Sequence, residues 1–124
     1  MTNNIAKSTL YGMLASAILL GVYFQASVTV TVTPTLLDEK SGEWKFDVVM
    51  DTHSVELDQD MTKVAILIDE QGKEYKAQSW DGPTGGHHRE GVLSFNSVES
   101  TKWVEIKIKD IAGIRERSFK WNLK

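Results

Sequence analysis

Residues 27–33 read SVTVTVT, and in this run Val28, Val30 and Val32 alternate with threonine. Both residue types are branched at Cβ and favour extended backbone, and alternate side chains of a strand point to opposite faces of its sheet. The run therefore predicts a strand with one apolar face. Pro34 follows directly and lacks a backbone N–H, so the strand either ends there or lies at the edge of a sheet.

The same two-residue alternation recurs along the rest of the chain. The further stretches are 44–51, 64–68, 74–80, 92–95, 104–109 and 118–123. One sheet cannot bury its own apolar face, so two sheets must pack together. The 98 residues of 27–124 match the size of an immunoglobulin-type domain. The sequence predicts an all-β fold, an immunoglobulin-like antiparallel β-sandwich of about seven strands.

Two short connections carry the residues that tight turns need. Residues 69–72 read DEQG and residues 110–113 read DIAG. In each, the final glycine can adopt the positive φ that hairpin connections require. Both segments are therefore predicted to join antiparallel strands.

The first 26 residues have a different composition from the remainder. All 17 acidic residues lie at or after Asp38, and Lys7 is the only basic side chain before Lys40. Residues 10–26 contain no charge, and their 17 positions are the lower limit for a helix that crosses a bilayer. We therefore expect residues 1–26 to contain one transmembrane helix that serves as a membrane anchor.

The charge distribution also predicts topology. Lys7 and the amino terminus flank one side of the apolar run, which places that side in the cytoplasm by the positive-inside rule. The domain 27–124 is then extracytoplasmic, attached to the cell membrane by a single pass. One alternative is a signal peptide whose cleavage after Ala26 releases the domain. That cleavage site would have Phe24 at its −3 position, where a small residue is preferred. The other alternative is a buried core helix.

All three histidines fall in two irregular segments, 51–60 and 80–91. His53 lies in the first segment, and His87 and His88 lie in the second, which also contains four of the nine glycines. Imidazole is a good ligand for copper or zinc, so these histidines are a candidate metal site. Asp51 or Asp81 could add a carboxylate ligand or orient an imidazole through a hydrogen bond. The competing interpretation is that the histidines hold the two loops together through hydrogen bonds.

Other chemistry has less support in the sequence. The acidic run 58–60 could hold calcium but lacks the EF-hand pattern. No cysteine is present, and no GxSxG or phosphate-loop motif occurs, so the sequence predicts that the protein is not an enzyme. The net charge of −3 argues against nucleic acid as a partner. Trp80 and Trp103 are candidates for stacking on a sugar or a partner protein, whereas packing is the alternative role for both.

The stretches DTHSVELD (51–58), LIDEQGKEY (67–75) and WDGPTGGHHREGVLSF (80–95) resemble a group of small exported or membrane-anchored prokaryotic proteins. That group has no assigned biochemical function, so the resemblance implies no chemistry, and it does not extend to the amino-terminal anchor. It also implies that the two histidine segments lie together in the fold, either as a shared site or as a shared structural brace. From the sequence we expect an interaction module at the cell surface with a protein partner, and as the alternative a copper- or zinc-binding module.

Overall fold

The computed structural model describes residues 8–13 and 27–123 of the chain. In chain order, the strands are β1 (Ser8–Met13), β2 (Ser27–Leu36), β3 (Glu43–Thr52), β4 (Ala65–Asp69), β5 (Glu74–Lys76), β6 (Ser79–Asp81), β7 (His88–Asn96), β8 (Trp103–Ile111) and β9 (Ile114–Asn122). A 3-10 turn (Glu39–Ser41) precedes β3. A single helical turn, α1 (Met61–Val64), precedes β4.

The strands form two antiparallel sheets. One sheet has the order β1-β2-β3-β7-β6, and the other has the order β5-β4-β8-β9. The alternating faces predicted from the sequence form the core between them. On β2, Val28, Val30 and Val32 are fully buried, and on β3 the inward residues from Trp44 to Met50 are also fully buried. The predicted β-sandwich is confirmed.

Three details of the strand prediction differ from the structure. The segment 74–80 is split into β5, which pairs with β4, and β6, which pairs with β7, because the chain crosses between the sheets at 77–78. The stretch beginning at Val64 starts as the end of α1, whose first turn is capped by the Asp60 side chain. The third difference is that β7 runs from His88 to Asn96, which is longer than the predicted 92–95.

Both predicted turns are present. Gly72 and Gly113 have φ values of 82° and 77°. In the first turn, Asp69 is nearly buried and accepts hydrogen bonds from two backbone N–H groups and from the Tyr75 hydroxyl. Burial alone would raise the pKa of Asp69, but these hydrogen bonds outweigh it and lower the pKa.

The amino-terminal prediction is only partly within the described residues. Residues 8–13 form β1, which pairs antiparallel with β2, so Leu10–Met13 is extended where the sequence predicts the start of a helix. The β-branched edge of β2 offers a row of backbone donors and acceptors that such a strand can pair with. The remainder of the predicted span, 14–26, lies outside the described residues. Within 8–13 and 27–123, no helix has the length and apolar character needed to cross a bilayer.

The loops 53–60 and 82–87 lie at the same end of the sandwich. Asp51 at the end of β3 pairs with His88 at the start of β7, so the two loops leave the sheet side by side. The start of β2 is also at this end, because Val28 pairs with Thr52. We call the surface formed by 53–60 and 82–87 the loop end.

Candidate binding site at the loop end

Backbone hydrogen bonds join the two loops into one unit. The N–H of Thr52 donates to the carbonyl of His87 at 2.9 Å. Further along, Leu57 donates to Gly86 at 3.0 Å and accepts from Gly85 at 2.9 Å. The two histidine segments therefore lie together as a short extension of the β3–β7 pair.

Two glycines allow this close approach. Gly85 and Gly86 have φ values of 98° and 90°, which side chains other than glycine rarely adopt. The Gly86 N–H donates to Oε2 of Glu56 at 2.6 Å, and a Cβ on Gly85 would lie 2.9 Å from the same oxygen. The glycines and Glu56 thus fix the path of the second loop against the first.

Arg89 is the main connection beneath the loops, although sequence analysis assigned it no role. It is only 1% exposed, because the alternation on β7 directs it inward between the outward residues His88 and Glu90. Its Nε donates to the carbonyl of Pro83 at 2.7 Å, and its Nη1 donates to the carbonyls of Leu57 at 3.2 Å and Gln59 at 2.6 Å. One guanidinium therefore connects both loops to β7.

The surroundings of Arg89 only partly offset its burial, and the pKa of the guanidinium stays below its ordinary value. Burial lowers the pKa of the guanidinium, whereas the nearby carboxylates of Asp58 and Asp60 raise it. The Trp80 ring covers the guanidinium, with 5.1 Å between its centroid and Cζ. Asp60 also holds α1 by accepting from the hydroxyl and the N–H of Thr62, and these bonds lower the pKa of Asp60.

A groove of about 380 Å³ opens beside this arginine. It is lined by Asp58, Asp60, Met61, Thr62, Trp80, Thr84 and Arg89. The Trp80 ring is fixed there because its Nε1 donates to the carbonyl of Pro83 at 3.1 Å. The ring also lies against Gly91, where an added Cβ would be 2.6 Å from Cζ2 of Trp80. The groove is therefore formed by side chains that other contacts already hold in position.

His88 lies on the outer face of β7 between two carboxylates. Its Nδ1 is paired with Asp51 on β3, and its Nε2 is 3.7 Å from Oε1 of Glu90. The hydrogen bond to Asp51 and the charge of Asp51 raise the pKa of His88, and Glu90 adds to this effect. All three side chains are more than half exposed. This arrangement is an exposed ion pair that joins β3 to β7.

The candidate metal ligands are near one another but do not converge. His53 follows Thr52 at the end of β3, and His87 directly precedes His88 at the start of β7; both are exposed, whereas Asp81 is at the end of β6. His88 is engaged with Asp51. Within the described ranges, no group of three or more histidine and carboxylate side chains is arranged to hold a metal ion. The copper or zinc site thus stays a prediction without support from this geometry.

The four tryptophans lie in different surroundings. Trp44 and Trp121 are 0% and 2% exposed and belong to the core. Trp103 is half-buried on β8 beneath Lys120, whose Nζ is 4.0 Å from the ring centroid. Only Trp80 lines the groove at the loop end.

Comparison of the chain with protein-family models, with curated protein sequences and with solved structures finds no match in any of the three.

Proposed function

We propose that this protein is a membrane-anchored binding module whose immunoglobulin-like β-sandwich stands on the extracytoplasmic side and engages a partner protein through the loop end. The anchor and its topology rest on the uncharged run 10–26 and on Lys7 before it. The binding role rests on the structure of the loop end.

One observation supports the binding role most directly: the loops are held rigidly while their polar side chains point outward. Arg89 binds three loop carbonyls from inside the fold. His53, Glu56, Asp58 and His87 are exposed on the same loops. A surface that is already ordered loses little conformational entropy on binding, so this arrangement favours recognition over mere chain connection.

The anchor and β1 compete for the same residues. Leu10–Met13 pairs with β2 in the structure, and the same four residues belong to the proposed span. An anchored chain therefore leaves β2 without this partner strand. A double variant, T9C/T31C, separates the two arrangements, because Thr9 and Thr31 are directly paired in the β1–β2 ladder. We expect no disulfide in the membrane-bound chain, and its formation there would overturn the anchor.

The absence of natural cysteine makes topology directly measurable. In cells with an intact plasma membrane, a membrane-impermeant maleimide is expected to label E99C. The matched variant N3C, on the other side of the apolar run, is expected to be labelled only after permeabilisation. Labelling of N3C in intact cells, or recovery of the full chain in the soluble cytoplasmic fraction, contradicts the proposed location.

The binding role is tested by site-specific photocrosslinking in the same cells. A photoreactive phenylalanine replaces His53 or His87 at the loop end, and Glu99 or Lys102 at the opposite end serves as the control. All four positions are exposed, so they have equal access to neighbours in the cell. We expect discrete adducts from the first pair only. Equal adducts from both ends, or none from either, contradict recognition through the loop end.

A further inference from the structure

The groove at the loop end has the dimensions and fixed walls of a small-ligand site. Its volume of about 380 Å³ lies in the lower part of the range of known ligand pockets. Asp60 is held by Thr62, and Trp80 is held by Pro83 and Gly91. The walls are therefore in place before any ligand arrives.

An unused donor lies at this groove. Arg89 is 99% buried, and its hydrogen bonds to loop carbonyls use Nε and Nη1 only. Across 8–13 and 27–123, no residue accepts a hydrogen bond from Nη2. Nη2 is not one of the buried nitrogens that lack a partner, and Arg89 lines the groove, so Nη2 is open to the groove, where a ligand oxygen could accept from it.

The mixed lining excludes most ligand classes. An anion would meet the carboxylates of Asp58 and Asp60, and a cation would meet the guanidinium of Arg89. An apolar ligand would remove water from all three groups without replacing their hydrogen bonds. A hydroxyl group can donate to a carboxylate and also accept from a guanidinium, so a neutral compound with several hydroxyls satisfies both kinds of partner.

The aromatic wall favours a ring over an open-chain polyol. Saccharide rings carry an apolar face of C–H groups that packs on indole, while their hydroxyls project from the edge. At Trp80 the hydroxyls would meet Thr84 and Asp58 at the rim. Trp103 provides the contrast, because it is also half-buried beneath a cation but is not part of this groove.

A second groove extends the site. It has a volume of about 400 Å³ and is lined by Lys63, Ile66, Lys76, Ala77 and Gln78, together with Thr62. Thr62 lines both grooves, so the two meet at this residue. The two grooves together therefore offer space for a ligand of more than one sugar unit.

We propose that the paired grooves bind a neutral oligosaccharide, with one ring stacked on Trp80 and a hydroxyl accepting from Nη2 of Arg89. This inference rests on the proposed binding role of the loop end and names a ligand class for it. The same module can bind a protein partner through the exposed loop side chains, so the two recognitions are separable.

The test uses the full chain in lipid nanodiscs, because detergents with sugar headgroups would compete for the site. Cellotetraose, xylotetraose and chitotetraose are titrated separately to about 10 mM, each beside its monosaccharide, while amide and indole NMR signals are recorded. A pocket of this size and polarity is expected to bind one tetrasaccharide more tightly than its monosaccharide. The largest shifts are expected at the Trp80 indole and at the Gly82 and Thr84 amides.

Matched variants locate the site. W80A is expected to weaken binding at least tenfold, which corresponds to about 1.4 kcal/mol, and W103A is expected to leave it unchanged. D58N, at an exposed carboxylate, is the second groove variant in case W80A loses its fold, and it is expected to weaken binding several-fold. The inference is overturned if none of the tetrasaccharides shifts the groove signals, or if W103A weakens binding as much as W80A. Loop-end crosslinks that persist in W80A would preserve the proposed function when the saccharide inference fails.

Discussion

Two arginines are buried in this sandwich, and they differ sharply in their partners. Arg89 in the first sheet is 1% exposed, and Arg117 in the second sheet is 0% exposed. Arg89 donates to three carbonyls. Arg117 donates to one, the carbonyl of Ile111 at 3.0 Å, and its Nε and Nη2 have no hydrogen-bond partner among the described residues.

The two arginines also differ in nearby charges, and Arg89 is again the better compensated of the two. Burial lowers the pKa of both guanidinium groups, but Asp58 and Asp60 oppose this effect at Arg89 only. A buried charge stabilises a fold when its hydrogen bonds and countercharges replace the lost water, and it costs free energy otherwise. The comparison indicates that Arg89 holds the loop end together, whereas Arg117 is a net cost to folding.

The largest expected effect comes from replacing Arg89 with methionine. R89M keeps an apolar side chain of similar length but removes a donor from three loop carbonyls. Leu57 still accepts from Gly85 and Pro83 still accepts from Trp80, whereas the Gln59 carbonyl is left without a donor among the described residues. One unsatisfied carbonyl costs roughly 1–3 kcal/mol and the two lost hydrogen bonds add to it, so we expect the free energy of unfolding to fall by about 2–3 kcal/mol. Urea denaturation followed by far-UV circular dichroism measures the change.

A conservative variant distinguishes charge from geometry at this position. R89K retains a positive charge but offers a single ammonium group, which cannot reach carbonyls on both loops in the way a guanidinium does. We expect R89K to recover only part of the lost stability. If R89M unfolds at the same urea concentration as the unmodified protein, the loops are held by other contacts and the contrast between the two arginines disappears.

The opposite result is expected from R117M. Methionine removes the buried charge and its two unpartnered nitrogens, and only the carbonyl of Ile111 loses a donor. Replacement of poorly compensated buried charges by apolar side chains is commonly neutral or stabilising. We therefore expect the free energy of unfolding to rise by about 1 kcal/mol in the same denaturation experiment. A loss of more than about 2 kcal/mol would show that Arg117 is compensated as well as Arg89.

Both arginines could in principle have been found in the sequence. Arg89 has the same parity as the buried Leu93 and Phe95, and Arg117 has the same parity as the buried Phe119 and Trp121. The predicted strands 92–95 and 118–123 begin after both arginines, so the alternation points them inward only when each strand is extended toward its start, as it is in the structure. Arginine is rarely buried without a partner, and the carbonyl acceptors of both arginines lie 6 to 32 residues away in the chain, so no local pattern marks either one as buried.

The fold was more predictable than the site for a physical reason. Alternation and turn glycines are local signals, so the faces of β2 and β3 and the turns at Gly72 and Gly113 are confirmed. The groove beside Trp80 depends on contacts between residues far apart, including the crossing of the chain from β5 to β6. No local pattern marks the point at which a strand changes sheets. The histidines match the residue type of metal ligands, whereas Arg89, the buried residue between His88 and Glu90, holds the two loops together.

A smaller effect is expected at the turn that supplies the single acceptor of Arg117. Ala112 and Gly113 form a two-residue connection between the paired residues Ile111 and Ile114, and both have positive φ, 54° and 77°. This matches a type I′ turn, in which asparagine or glycine is preferred at the first central position. Since alanine is strained there, A112N is expected to raise the free energy of unfolding by about 0.5–1 kcal/mol.

The double variant A112N/R117M relates this turn to the buried charge. If the alanine strain exists to hold the Ile111 carbonyl against Arg117, the two gains in stability will not be additive. Additive gains would mean that the turn and Arg117 are independent. A loss of stability in A112N alone would contradict the assignment of strain to Ala112.

The smallest effect is expected at His88, which lies beside Arg89 on β7 but on the solvent face. Asp51 raises the pKa of His88 in the folded protein, so the folded state holds the proton more tightly than the unfolded state. The stabilisation is then complete below the ordinary histidine pKa of about 6.5, and it is lost as the pH rises through the raised pKa. Thermal melts between pH 5.5 and 9 are expected to show the stability advantage over H88Q shrinking as the pH rises, whereas H53Q serves as the control in the adjoining loop. If the stability advantage over H88Q instead grows with pH, the linkage has the opposite sign. Asp51 and His88 would then not form the ion pair that joins β3 to β7 on the solvent face, opposite the buried Arg89.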